Sequence, residues 1–115
     1  MLQTNLTHIT SEELFHKTLQ DHENVMICCG RMGPMCIPVY EVMEELEMRY
    51  KHVKFADMGF DTAISHLIRN LPDTKNFNGL PFTVYFKNGK PVKATSSIQS
   101  MEQVTKILDS NFAKK

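Results

Sequence analysis

The chain carries no surplus of charge. Lysine plus arginine and aspartate plus glutamate stand at thirteen each, so the formal net charge is zero. A protein that neutralises phosphates presents a basic face, so nucleic-acid binding is not expected. Long apolar runs are missing too: none approaches the roughly 20 residues needed to span a bilayer, and no membrane association is read. The opening residues, MLQTNLTHITSEEL, have neither a basic n-region nor an apolar h-region, so no secretory signal is read there. Cysteines are few and odd in number, three, all between positions 28 and 36. A secreted disulfide framework would show an even, dispersed set, which points to a cytoplasmic protein whose thiols need a local explanation. The histidines (His8, His16, His22, His52 and His66) are scattered, with no HxxxH or CxxC partner, and zinc is not expected. The glycines of the GRMG stretch precede no GK[ST], so a phosphate loop is not read. There is no repeat, linker or low-complexity segment. The 115 residues (1–115) read as one domain, long enough to bury a core without staples, with no cofactor.

What is present is concentrated between Val25 and Tyr50, VMICCGRMGPMCIPVYEVMEELEMRY. Val25 to Cys29 is apolar on both faces, which suits a central strand covered on both sides. Side chains alternate along a strand, so Val25, Ile27 and Cys29 share one face while Met26 and Cys28 take the other. A Gly/Met/Pro loop follows and ends at Cys36. From about Pro34 to Tyr50, Cys36, Val39, Tyr40, Met43, Leu46 and Tyr50 recur at helical spacing while Glu41, Glu44, Glu45 and Arg49 face out. Pro34 and Pro38 are tolerable there because early helical N–H groups lack partners anyway.

The rest of the chain alternates strand and helix. Leu6 to Ile9 is a short strand, and Thr10 with Glu13 has capping-box spacing for a helix over Leu14, Phe15, Thr18 and Leu19 ending near Asp21. Val53 to Met58 is a second apolar strand. Asp61 is placed to cap a helix carrying Ala63, Ile64, Leu67, Ile68 and Leu71, which Pro72 stops. Asp73 to Gly79 is polar turn material. Phe82 to Phe86 is β-branched and aromatic, Asn88-Gly89 is a strong hairpin signal, and Pro91 to Ala94 returns as an edge strand. Ser100 and Gln103 make a capping box that opens a last helix with Val104, Ile107, Leu108 and Phe112, and Lys114-Lys115 is a solvated end. The order βαβαβαββα predicts an α/β fold, a three-layer α/β/α sandwich whose central mixed sheet has a parallel portion and an antiparallel edge.

That order, with Gly79-Leu80-Pro81-Phe82-Thr83-Val84-Tyr85-Phe86-Lys87-Asn88-Gly89-Lys90, resembles the thioredoxin family, whose glycine–apolar–cis-proline–strand–KNG hairpin it matches. The likeness runs over nearly the whole chain and implies a thioredoxin-like fold. Placed without gaps, Met32-Gly33-Pro34-Met35-Cys36 lies on the family's WCGPC. Cys36 then keeps the second cysteine, Gly33 stands where the attacking cysteine belongs, Ile27 falls on a buried proton-handling acid, and Cys29 falls on a tryptophan. GPMC in place of CGPC removes the ordinary mechanism.

The resemblance also implies what remains. It puts the Cys29 face of the strand against the helix that Cys36 opens, and six residues with Gly30 and Gly33 are enough to fold the chain back. The resulting expectation is a thiol–disulfide oxidoreductase using Cys29 and Cys36 in place of CxxC, with Cys28 as a core residue. Helix N-terminal N–H groups favour a thiolate at Cys36. Arg31 either stabilises that thiolate or is a solvated loop arginine. The resemblance implies a cis Leu80-Pro81 bond whose Leu80 backbone pairs with an extended substrate, beside Met32, Gly33, Pro34 and Met35. The expected partners are protein disulfides and a protein reductant, met by a monomer. Two other readings stand beside it: a redox-inactive thioredoxin-fold binding module using Met32, Met35 and Pro81, and a Cu(I) carrier using the soft donors Met32, Met35 and Cys36.

Overall fold

In the computed structural model, which describes residues 2–112, the elements follow the expected order. They are β1 (Thr7–His8), α1 (Glu12–Asp21), β2 (Asn24–Gly30), α2 (Ile37–Glu47), β3 (Lys54–Gly59), a 3₁₀ turn (Ala63–Ser65) running into α3 (His66–Arg69), β4 (Phe82–Lys87), β5 (Lys90–Ser96) and α4 (Met101–Asn111). The sheet order is β1-β3-β2-β4-β5. β1, β3 and β2 run parallel, and β4 and β5 add the antiparallel edge. β2 is therefore central, and all seven of its residues are buried, as its two-sided apolar sequence requires.

Helices cover both faces. Val39, Tyr40 and Met43 of α2 pack with Val104 and Leu108 of α4 over one face, while Phe15 of α1 and Ile68 of α3 cover the other. The architecture is the three-layer α/β/α sandwich, and among the described residues no helix is long and apolar enough to cross a membrane. The expected end at Lys114-Lys115 lies outside the described residues.

Several boundaries moved for local reasons. Ser11, not Thr10, caps α1: its backbone is extended and its hydroxyl accepts the Leu14 N–H at 3.0 Å. α2 starts at Ile37 instead of Pro34, because the Gly33 carbonyl accepts both the Cys36 and Ile37 N–H groups at 3.0 Å and closes a separate turn. Asp61 caps nothing. Both its carboxylate oxygens bind Arg31, so the expected helix over 63–71 becomes a 3₁₀ turn and one short helix. The capping box of Ser100 and Gln103 is present in full. At the hairpin, Asn88 and Gly89 take φ values of 52° and 81°, the left-handed conformations a tight two-residue connection needs.

Candidate functional site

The site forms where β2 ends and α2 begins. β2 delivers the chain to Gly30, residues 31–35 loop outward, and Cys36 occupies the N-cap of α2 without capping it through its side chain. Across from it the Leu80-Pro81 bond is cis. Gly30 is the meeting point. A Cβ built there would lie 2.8 Å from Cys36 Sγ, 2.8 Å from the Tyr40 hydroxyl and 3.0 Å from Pro81 Cβ, so the thiol, the phenol and the proline ring converge on a backbone with no side chain. Neither Gly30 nor Gly33 uses a positive φ, contrary to the use expected of them. Gly30 is needed for close approach, and Gly33 has open space around its Cα.

Hydrogen bonds hold the junction. The Arg31 backbone N–H donates to Cys36 Sγ at 3.4 Å, and the Tyr40 hydroxyl donates to the Arg31 carbonyl at 3.1 Å. The Ser97 N–H donates to the Gly79 and Pro81 carbonyls, each at 3.1 Å, tying the proline loop to the end of β5. Burial, then the Cys28 thiol nearby, pushes the Tyr40 phenol well above its ordinary range, so it serves here as a neutral donor.

The three cysteines separate. β2 alternates as expected, with Val25, Ile27 and Cys29 on one face, but that face packs against α1 and α3. Met26 and Cys28 are the residues that face α2, in the same apolar cluster as Cys36, Val39 and Tyr40. Cys29 and Cys36 thus belong to different packing layers, Cys29 with α1 and α3 and Cys36 with α2 and α4, and the structure does not bring them into one cluster. The gap-free placement that set Ile27 and Cys29 toward α2 is off by one position in this strand, and a one-residue slip exchanges the faces. Burial pushes the Cys29 thiol up to about 12, opposed by Arg69. Burial also raises the Cys28 thiol well above its ordinary value, opposed by the Thr83 hydroxyl that donates to it at 3.7 Å. At neutral pH neither sulfur of β2 is a thiolate.

The loop over Cys36 is exposed while Cys36 itself is 3% exposed. Met32 and Met35 are 41% and 43% exposed, Pro34 is exposed, and Leu80 is half-buried beside the buried Pro81. Met32 Sδ accepts the Gln3 N–H at 3.4 Å. Arg31 stays exposed in the loop, as the solvated reading has it, and its guanidinium binds Asp61 at 2.8 Å through two nitrogens while its backbone N–H meets the thiol. That pairing depresses the Asp61 carboxyl. Two guanidinium groups lie over the Phe60 ring, Arg31 at 5.2 Å and Arg69 at 4.8 Å from its centre, and the ring meets Phe82 edge-on. Gly30 was read only as a residue that turns the chain, and Tyr40, Phe60 and Asp61 were given no role at the site. The alternating face of β2 and the helical spacing of Tyr40 from Cys36 were the signals available for two of them.

A cleft of about 560 Å³ opens beside this junction, lined by Gly30, Arg31, Met32, His8, Asp57 and Phe60 among others. Asp57 is buried beneath it, receives the Thr4 hydroxyl, and pairs with His8 Nδ1 at 2.7 Å. Burial raises the Asp57 carboxyl despite both hydrogen bonds.

No protein-family model and no curated protein matches the chain. Solved structures do. A thioredoxin from Plasmodium falciparum superposes with a TM-score of 0.76 at 18% identity, covering 92% of this chain and 99% of that one. Thioredoxin f2 from Chlamydomonas reinhardtii gives 0.78 at 13% identity, covering 96% and 100%. The fold is that of a thioredoxin. A third neighbour belongs to work on thiol resolution in yeast mitochondrial 1-Cys peroxiredoxin via glutathione/thioredoxin systems, with a TM-score of 0.73 at 14% identity over 91% and 95% of the chains. At such identities the likeness concerns the thioredoxin fold, and the chemistry of this chain rests on its own residues.

Proposed function

We propose that the protein is a thioredoxin-fold thiol–disulfide oxidoreductase in which Cys36 is the exchanging sulfur. The observation that carries this is the convergence of Cys36 Sγ and Pro81 on Gly30, the last residue of β2, where the loop leads into α2. An extended partner chain lies along Leu80-Pro81, whose Leu80 backbone makes no hydrogen bond among the described residues, with Met32, Gly33, Pro34 and Met35 as an adaptable apolar contact. The Cys36 thiolate attacks one sulfur of the partner disulfide. A Cys36–partner S–S bond forms, the partner's own S–S bond breaks, and its other sulfur leaves as a thiolate. A thiolate of a protein reductant then attacks the partner-side sulfur. It forms a new disulfide with the partner chain and returns Cys36 as a thiolate.

The second sulfur thus comes from outside the chain rather than from Cys29. Burial raises both thiols of β2, and Cys29 belongs to the layer away from α2. The test is mass spectrometry after mild oxidation with a model disulfide, on wild type and on Cys36→Ser, Cys29→Ala and Cys28→Ala. The expected product is a mixed disulfide at Cys36 in all but Cys36→Ser. Loss of two protons within one chain, in a peptide joining Cys36 to another cysteine, would replace this with an internal pair and identify it.

One observation favours a redox-silent binding module that uses the same surface: Cys36 is almost wholly buried. Insulin reduction in dithiothreitol separates the two, since a binding module leaves the trace flat and an oxidoreductase accelerates it through Cys36 alone.

A further inference from the structure

Beside Cys36 the sheet ends in a group of charges that does not balance. β2 stops at Gly30 and β3 at Gly59, paired in register, and the Gly30 carbonyl accepts the Phe60 N–H at 2.8 Å. This tie sets Phe60 and Asp61 next to Arg31, whose backbone N–H meets Cys36 Sγ at 3.4 Å. The guanidinium groups of Arg31 and of Arg69 in α3 lie over the one Phe60 ring, at 5.2 and 4.8 Å. A single carboxylate serves both. Asp61 binds Arg31 through both oxygens at 2.8 Å, and those bonds, then the charge of Arg69 nearby, depress its carboxyl. Arg69 itself makes no ion pair among the described residues. Asp57, the other acid lining this cleft, is buried and held by His8 and Thr4.

Two cations and one anion on a shared ring can pair in more than one way. The side chains of Arg31 and Asp61 are 56% and 64% exposed, and exposed ion pairs contribute little to stability, so parting them is cheap. Asp61 then has a second cation at hand in Arg69, while the Phe60 ring keeps its contact with each guanidinium. Arg31, once released, presents a planar fork of donors that fits a carboxylate in bidentate fashion. The group thus has a place for one more carboxylate, one side chain's length from the Cys36 sulfur.

We infer that Arg31 selects the disulfide partners of Cys36 by charge: it leaves Asp61 for a carboxylate on the partner chain, and Asp61 passes to Arg69. The partner is a disulfide-bearing segment with aspartate or glutamate close to the attacked cysteine. The sheet edge sets its path, since the end of β3 and the start of β4 flank the end of β2. A chain lying along Leu80-Pro81 crosses Cys36 and reaches the Phe60 ring, which meets Phe82 edge-on. There the two guanidinium groups receive its acid. The inference rests on the exchange proposed for Cys36 and names the partners that site takes.

The test uses two peptides that differ only in charge. Each has a central cysteine carried as its 2-thiopyridyl disulfide, a glycine on either side, and beyond these either aspartates or asparagines. The Cys36 thiolate attacks the peptide sulfur, an S–S bond forms between the two chains, and the thiopyridyl sulfur leaves with the electron pair and is read by its absorbance. At about 0.15 M chloride, which screens distant charges, the aspartate peptide should react about threefold faster, the effect of one exposed ion pair. Arg31→Gln should erase the preference. Asp61→Asn should widen it, because the internal competitor is gone, and Arg69→Gln should narrow it. A merely structural ion pair predicts the same change in Arg31→Gln and Asp61→Asn, since both break it. Equal rates for the two peptides on wild type, or a change of the same sign in those two variants, would overturn the inference. Serine versions of the peptides, followed by ¹⁵N–¹H chemical-shift titration of the full chain, separate it from the exchange itself. If neither cysteine peptide reacts but the serine peptides show the aspartate preference at the amides of Arg31, Phe60, Asp61 and Arg69, the charge selection stands and the exchange falls. No reaction and no such preference removes both.

Discussion

Gly30→Ala is the most direct perturbation of the junction. The added Cβ meets Cys36 Sγ at 2.8 Å, the Tyr40 hydroxyl at 2.8 Å and Pro81 Cβ at 3.0 Å, and none of the three is the loose end of a flexible chain. Cys36 is held by the start of α2, Tyr40 by its bond to the Arg31 carbonyl, and Pro81 by its ring. Overpacking of a filled interior costs about 1–3 kcal/mol. Against this, replacing glycine at a non-positive φ stabilises by about 0.4–1 kcal/mol through the unfolded chain. The net expectation is a loss of about 1–2 kcal/mol, a fall of about 1 M in the urea midpoint for a denaturant slope near 1.5 kcal/mol per molar. Gly33→Ala is the control, because a Cβ there meets nothing within 4 Å, and its midpoint should stay level or rise. Circular dichroism in urea measures both. A double-mutant cycle with Tyr40→Phe sharpens the reasoning, since removing the hydroxyl removes one of the three contacts, and a coupling of about 0.5–1 kcal/mol is expected. Equal midpoints for Gly30→Ala and wild type, or no coupling to Tyr40→Phe, would refute the claim that these groups meet at Gly30.

Three further outcomes follow from the same geometry. Tyr40→Phe alone loses the hydrogen bond to the Arg31 carbonyl at 3.1 Å and should cost about 1 kcal/mol in the same urea assay, with faster alkylation of Cys36 as the loop loosens. Asp61→Asn removes the bidentate pairing that depresses its carboxyl, so the wild-type loop should loosen as pH falls through that lowered value, and the variant should show no such step in Cys36 alkylation below the ordinary carboxylate range. Asp57 runs the other way: its folded carboxyl is raised by burial, so the native state holds a proton that the unfolded state releases. Stability therefore declines as pH rises from the ordinary carboxylate value toward the raised one, and Asp57→Asn should flatten that decline in urea midpoints taken across the window.

Much of the fold was legible because its signals are local. Asn88-Gly89 forces a hairpin wherever it sits, and the Ser100–Gln103 capping box works within four residues. Apolar periodicity separated α2 and α4 from the strands. The facing of β2 was not legible for the reason that made β2 recognisable: a strand apolar on both sides carries no contrast to say which face meets which helix. Position in a register decides it, and an error of one residue exchanged Cys28 and Cys29. The Arg31–Asp61 pair was hidden as well, since thirty residues separate the two and only the packing of the β3–α3 connection brings them together. That same pairing removed the helix cap expected of Asp61.

The division of the cysteines follows from where each sits in the sheet. Cys28 and Cys29 belong to the central strand, in register with Asp57 and Met58 of β3 on one side and with Thr83 and Phe82 of β4 on the other. To bring Cys29 Sγ to Cys36, its Cβ would have to turn from the α1/α3 layer to the α2/α4 layer, which means rotating a residue held by two ladders at once. A disulfide tolerates Cα atoms only within about 7 Å and Cβ vectors that point together, and central strands do not rotate locally to meet that condition. Cys36 has no such constraint: it stands at a helix N-cap, next to an exposed loop. Of the three sulfurs, it is the one whose surroundings can open without breaking the sheet. In the exchange proposed above, Cys36 is accordingly the starting sulfur, and the second thiol is drawn from a partner that reaches the Leu80-Pro81 edge.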